Sequence, residues 1–113
     1  MIKVYGIKNC DSVKKALKFF KAHNLECELQ DFKSQSVSCD KIAFWLESVE
    51  LKTIFNAKSA TYRNLKLKEK KLTPNEQADF LCKENLLIKR PVVEFGDKIV
   101  VGYDEDNYKG VFL

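Results

Sequence analysis

The stretch GIKNCDSVKKA, Gly6–Ala16, decides the fold, because it joins two different hydrophobic periods. Before it, Ile2 to Tyr5 read as a short strand closed by Gly6. After it, Val13, Ala16, Leu17 and Phe20 recur at i, i+3, i+4 and i+7, which is one face of a helix, and Phe19 widens the stripe. The helix is expected over Asp11 to His23, with Asn24 as a left-handed terminator. LECELQDF then alternates, Leu25, Cys27 and Leu29 against Glu26, Glu28 and Gln30, as a half-buried strand does. Strand, helix and strand make a βαβ unit, so the first two strands should run parallel.

The middle of the chain changes period. Ser36 or Ser38 can cap a helix whose face is Ile42, Trp45, Leu46 and Val49, and a less regular stretch follows through FNAKSATYRNL. Thr73, Pro74 and Glu76 supply a capping hydroxyl, a proline at the first helical position and an acid three residues after the cap. Ala78, Leu81 and Cys82 continue the buried face of that helix. PVVEF and KIVVGY flank the turn pair Gly96-Asp97, the signal for an antiparallel hairpin. Asp104, followed by Glu105 and Asp106, starts a last helix that ends near Phe112. The order is β-α-β, helices over about 35–87, then β-β-α. With no repeat and no linker, one domain over 1–113 is expected.

Composition narrows the class. A chain of 113 residues with four glycines and two prolines can bury one core without disulfide staples. No basic-then-apolar leader and no membrane-length apolar run is present, so the expected compartment is a reducing cytoplasm. The net charge of +4 suits an anionic small ligand without demanding nucleic acid. The densest basic run, Arg63 to Lys71, reads as a solvated face. Cys10, Cys27, Cys39 and Cys82 show no pairing pattern, and that compartment argues against a disulfide framework. One histidine, His23, and no Cys-x-x-Cys cluster give no basis for a metal site.

Chemistry therefore concentrates on Cys10. It stands where a helix begins, among backbone N–H groups that have no intrahelical acceptor and carry partial positive charge. That position favours the thiolate, the nucleophilic form, and Lys8, Lys14 and Lys15 add positive potential. A cysteine filling the strand–helix corner is the competing reading. Thiol–disulfide oxidoreductases place a second cysteine three positions on, but that position is Val13. Cys27 alternates with leucines and Cys82 lies on a buried helix face, so both read as core. Cys39, near a helix start, is the one candidate second thiol, and nothing in the sequence places it near Cys10. His23 falls at a helix C-terminus, where a cation is favoured. Arg90-Pro91 opens a strand: the missing N–H is tolerated there, the bond can be cis, and the arginine fork can meet an oxyanion or carboxylate.

GIKNCDSVKKA and IKRPVV…VGYDEDNY, in this element order, resemble the ArsC/Spx family, and within it the YffB-type branch, whose members open with a nearly identical GIKNCD segment. The likeness covers essentially the whole chain. It implies a thioredoxin-like α/β fold: a four-stranded mixed sheet with a helical insert between the βαβ and ββα halves. It also implies a cis Arg90–Pro91 bond beside the active thiol. Cys10 matches the family's nucleophile, and Arg90 the arginine that in arsenate reductases contacts the oxyanion. Lys58 occupies the place of a second anion-binding arginine, and Arg63 matches a basic residue of the YffB-type branch. Gly102 and Tyr103 stand where arsenate reductases carry a third arginine. A lysine is a point charge and does not reproduce a bidentate fork.

The resemblance thus implies a glutathione-dependent thiol reductase with Cys10 as its single nucleophile. Lys8, Asn9, Lys58, Arg63, Arg90 and Pro91 would hold glutathione or a small thiol or oxyanion substrate. No bound cofactor is expected; glutathione is a co-substrate. Two alternatives come with the likeness. One is an arsenate reductase, partnered by glutaredoxin. The other is an Spx-like regulator that binds RNA polymerase, although Val13 removes the second cysteine of that switch.

Overall fold

A computed structural model describes residues 1–113. In chain order the elements are β1 (Ile2–Gly6), α1 (Asp11–Ala22), β2 (Cys27–Asp31), α2 (Cys39–Leu46), α3 (Leu51–Ile54), α4 (Ala60–Asn64), α5 (Leu67–Lys70), α6 (Pro74–Lys83), β3 (Val92–Phe95), β4 (Lys98–Val101) and α7 (Glu105–Phe112). They fall into two compact units, Met1–Ser34 with Arg90–Leu113, and Gln35–Lys89.

The first unit carries the sheet, ordered β2-β1-β3-β4. β1 and β2 are parallel, with Val4 opposite Leu29, and β3 runs antiparallel to both β1 and β4. This is the expected thioredoxin-like arrangement: a parallel βαβ half and an antiparallel ββα half meet at the β1–β3 pair. Val4, Val93 and Val100 share the buried core with Ala16, Phe19 and Phe20 of α1 and Tyr108 and Phe112 of α7. Phe20 stacks on Tyr108 at 5.6 Å and meets Phe112 edge-on at 4.9 Å. Burying one such ring contributes about 1.5–3 kcal/mol. The Tyr108 hydroxyl donates to the Gly102 carbonyl at 2.7 Å, satisfying the polar atom this core would otherwise strand. Asn24 closes α1 in the left-handed region at φ 57°, as its sequence position predicts. Gly96 does the same for the hairpin turn at φ 62°.

The second unit is helical. Ser38 caps α2 through the Lys41 N–H, and Thr73 and Glu76 form a reciprocal capping box at α6. Trp45, Ile42, Ile54, Leu67, Leu81 and Leu87 are fully buried. α2 ends at Leu46, so Val49 lies beyond the helix rather than on its face. The stretch expected to be less regular contains α4, capped by Ser59 through the Tyr62 N–H. The basic run Arg63–Lys71 is anchored by the buried Leu67 and leaves its lysines exposed. Left-handed residues, Lys66 at φ 55° and Lys71 at φ 48°, flank α5 there.

Two of the cysteines are paired, contrary to the expectation from the sequence. Cys39, the first residue of α2, is bonded to Cys82, one residue from the end of α6, with Cα atoms 5.1 Å apart. Their separation of 43 residues carries no pairing signal, because helix packing and not chain proximity brings them together.

Candidate active site

The first unit assembles its chemistry at one end of the sheet. β1 ends there and β3 begins there, with Tyr5 opposite Val92 as the last pair of the antiparallel register. β4 also ends there, with the Gly102 N–H donating to the Pro91 carbonyl at 2.8 Å. The Arg90–Pro91 bond is cis, as the resemblance implies. Lys8, Asn9 and Cys10 follow β1 at this end, and Arg90 and Pro91 precede β3. Pro91 is buried, Arg90 and Cys10 are partly exposed, and Lys8 and Asn9 are exposed.

Cys10 is itself the N-cap of α1, in extended backbone at φ −138°, ψ 125°. Its carbonyl accepts the Lys14 N–H at 2.9 Å, the first bond of the helix. Its side chain makes no capping hydrogen bond, in contrast to Ser38, Ser59, Thr73 and Asp104 at four other helix starts. The sulfur is a free thiol held where the helix dipole is most positive. Asp11 in the first turn offsets part of that field.

Val13, one turn on, is completely buried. A Cβ on Gly6 would lie 2.6 Å from Val13 Cγ2, closer than side chains tolerate. The end of β1 and the start of α1 therefore touch through a glycine and a valine. The position of the absent second thiol is a packing site.

One contributor was not foreseen. Asp31, at the end of β2, accepts the Lys33 N–H at 2.8 Å and the Lys8 N–H at 3.0 Å. These two bonds, Lys33's first, hold the Asp31 carboxyl below its ordinary pKa, aided by the charges of both lysines. The Phe32 N–H donates to the Gly6 carbonyl at 2.8 Å, so β2's end clasps the loop that leads into Cys10 at two points. The one signal in the sequence is an acid at the end of a strand parallel to β1.

Lys58 and Arg63 belong to the helical unit, where the Arg63 guanidinium donates to the Lys58 carbonyl at 2.9 Å. Both are exposed, and the Lys58 N–H is held by the Asn56 side chain at 3.1 Å. Cys27 lies on β2 against the core, and burial pushes its thiol up, which agrees with a packing role. His23 lies tilted against Phe19, ring centroids 4.5 Å apart, at the C-terminal end of α1.

The family model described as the ArsC family matches residues 5–111. The chain belongs to the ArsC family. Among its relatives, a protein of Haemophilus influenzae is 36% identical over 113 residues, spanning 99% of each chain. The global transcriptional regulator Spx of Lactiplantibacillus plantarum is 25% identical over 96% of this chain and 84% of its own. Among solved structures, a YffB protein superposes with a TM-score of 0.92 at 26% identity, each chain being covered completely. The likeness to the YffB-type branch extends through the helical insert as well as the Cys10 and Arg90-Pro91 segments. No helix is long and apolar enough to cross a membrane.

Proposed function

We propose that this ArsC-family chain is a thiol reductase with Cys10 as its single nucleophile and glutathione as the thiol that resolves the adduct. The observation that carries this reading is a free cysteine at the N-cap of α1 with a buried valine one turn on. In the first step the Cys10 thiolate attacks a sulfur of a disulfide substrate. It forms a mixed disulfide and expels the other sulfur as a thiolate. In the second step a glutathione thiolate attacks the mixed disulfide, restoring Cys10 and carrying the bound sulfur away. No protein thiol stands one turn on to intercept the adduct, which supports resolution by an outside thiol.

Arg90 and Lys8, which share the Cys10 end of the sheet, are assigned to the carboxylates of glutathione or to the charge of an oxyanion. Asn9 and Pro91 line the same end. Lys58 and Arg63 are the further cations that the family likeness suggests for such a ligand, and single substitutions test each.

An arsenate reductase reading has less support. Lys58 lacks a guanidinium fork, and Gly102, buried with its N–H on Pro91, offers no cation. The likeness to Spx favours one further reading, a regulator that binds a protein such as RNA polymerase. A pull-down with the Cys10→Ser chain tests it, because a stoichiometric partner should survive that change.

The deciding experiment for the reductase is mass spectrometry of the chain after exposure to oxidised glutathione. One glutathione adduct at Cys10, removed by reduced glutathione, is expected. Failure of Cys10 to form an adduct, with turnover unaffected by glutathione, would sink the proposal.

A further inference from the structure

We infer that Cys39 and Cys82 are a second redox site, a dithiol that a small-molecule disulfide oxidises without involving Cys10. Three observations within the helical unit point to it. First, the two cysteines are bonded across α2 and α6 with Cα atoms 5.1 Å apart, inside the span that disulfides require. Second, contacts that owe nothing to sulfur hold the two segments together. The Val37 N–H donates to Asn85 Oδ1 at 2.8 Å, and Asn85 Nδ2 donates to the Leu81 carbonyl at 2.9 Å, both in buried surroundings. Ile42 and Trp45 of α2 and Leu81 of α6 are buried alongside. Reduction therefore leaves the sulfurs adjacent, which makes the pair a reversible couple. Third, the two sulfurs differ in access. Cys39 is exposed at the first turn of an eight-residue helix, while Cys82 is partly buried.

The difference in access sets the order of events. The Cys39 thiolate attacks one sulfur of the small-molecule disulfide, forming a mixed disulfide and releasing one thiolate, which takes a proton from water. Cys82 loses its proton to solvent and attacks the Cys39 sulfur. The intramolecular disulfide forms and the second small thiolate leaves. Two protein thiols are oxidised by two electrons, and one small-molecule disulfide becomes two thiols. Excess small thiol runs the same steps backward. This is the chemistry Cys10 cannot complete alone, placed in the other unit of the same chain.

The test uses the full Cys10→Ser chain, reduced and then exposed to oxidised glutathione, with free thiols alkylated before intact-mass and peptide analysis. The expected result is the loss of two alkylatable thiols, no retained glutathione, and one cross-linked peptide joining Cys39 to Cys82. Cys82→Ser in this background should stop at glutathione on Cys39, and Cys39→Ser should lose the reaction. Glutathione that stays on Cys39 while Cys82 remains alkylatable overturns the inference. So do two thiols that stay alkylatable throughout, or a Cys82 that takes up glutathione in Cys39→Ser as fast as Cys39 does in Cys82→Ser. Because Cys10 is absent, none of these outcomes depends on whether Cys10 is a reductase thiol.

Discussion

Two cysteines begin helices in this chain, and they face opposite situations. Cys10 caps α1 with a buried valine one turn on and remains a free thiol. Cys39 opens α2 and meets Cys82 from a helix 43 residues away in sequence. Both sit at a helix start, Cys10 as the N-cap of a twelve-residue helix and Cys39 as the first residue of an eight-residue one. On the readings proposed above, their chemistry diverges through the partner: Cys39 would be resolved within the chain, whereas Cys10 would take a thiol from outside. A thiol's local setting makes it a nucleophile, and the surrounding fold decides whether it cycles alone.

The largest expected effect tests that division directly. Cys10→Ser should lower glutathione-dependent reductase turnover by at least about a thousandfold, as removal of a nucleophile does. Cys39→Ser and Cys82→Ser should leave that turnover within about twofold of the parent, since the proposed resolving thiol is external. Steady-state assays with a mixed-disulfide substrate check both. A loss in Cys82→Ser matching that in Cys10→Ser would break the comparison, because one site would then serve the other.

Next in size is the scaffold that keeps Cys39 and Cys82 adjacent. Asn85→Ala removes the acceptor of the buried Val37 N–H and the donor to Leu81. An orphaned buried group costs about 1–3 kcal/mol and the second bond about one more, so a loss of about 2–4 kcal/mol is expected. Denaturant unfolding of the reduced chain measures it. If reduced Asn85→Ala matches the parent, the two Asn85 hydrogen bonds do not hold these segments together.

Much of this architecture is written in short-range pattern. The β1–α1–β2 alternation, the Thr73–Glu76 box, the Gly96-Asp97 turn and the Asp104 cap each rest on residues within one or two turns of one another. The observed elements follow them closely. What stayed hidden depends on contacts between distant segments. Cys82 reads as core because a buried helix face looks the same whether it meets leucine or another cysteine. Asp31 reads as the end of a strand, since its role is to receive the Lys8 N–H 23 residues back. Gly6 reads as a strand terminator, and only the packed helix reveals that it must also lack a Cβ.

That close approach gives the third test. Gly6→Ala drives a Cβ to 2.6 Å from Val13 Cγ2 and should cost about 1–3 kcal/mol as overpacking. Val13→Ala should relieve it, so the double variant loses less than the sum of the two single losses. Additive losses would show that the contact is soft.

The smallest effect sharpens the comparison at the loop before Cys10. Asp31's carboxyl lies below its ordinary pKa because the folded chain directs the Lys33 and Lys8 N–H groups at it. A depressed folded value means the clasp contributes fully above the unfolded carboxylate pKa, about 3.9, and fades as pH falls through the lower folded value. The Lys8 and Lys33 amide resonances should therefore titrate together, with a midpoint below the ordinary carboxylate range. Asp31→Asn should abolish that titration and speed hydrogen exchange at Lys8, while exchange at Lys41, held by Ser38 at the start of α2, stays unchanged. Lys8 exchange that ignores both pH and Asp31→Asn would mean that β2 does not hold the Cys10 loop. The position of Cys10 would then rest on the Gly6–Val13 contact and the start of α1 alone.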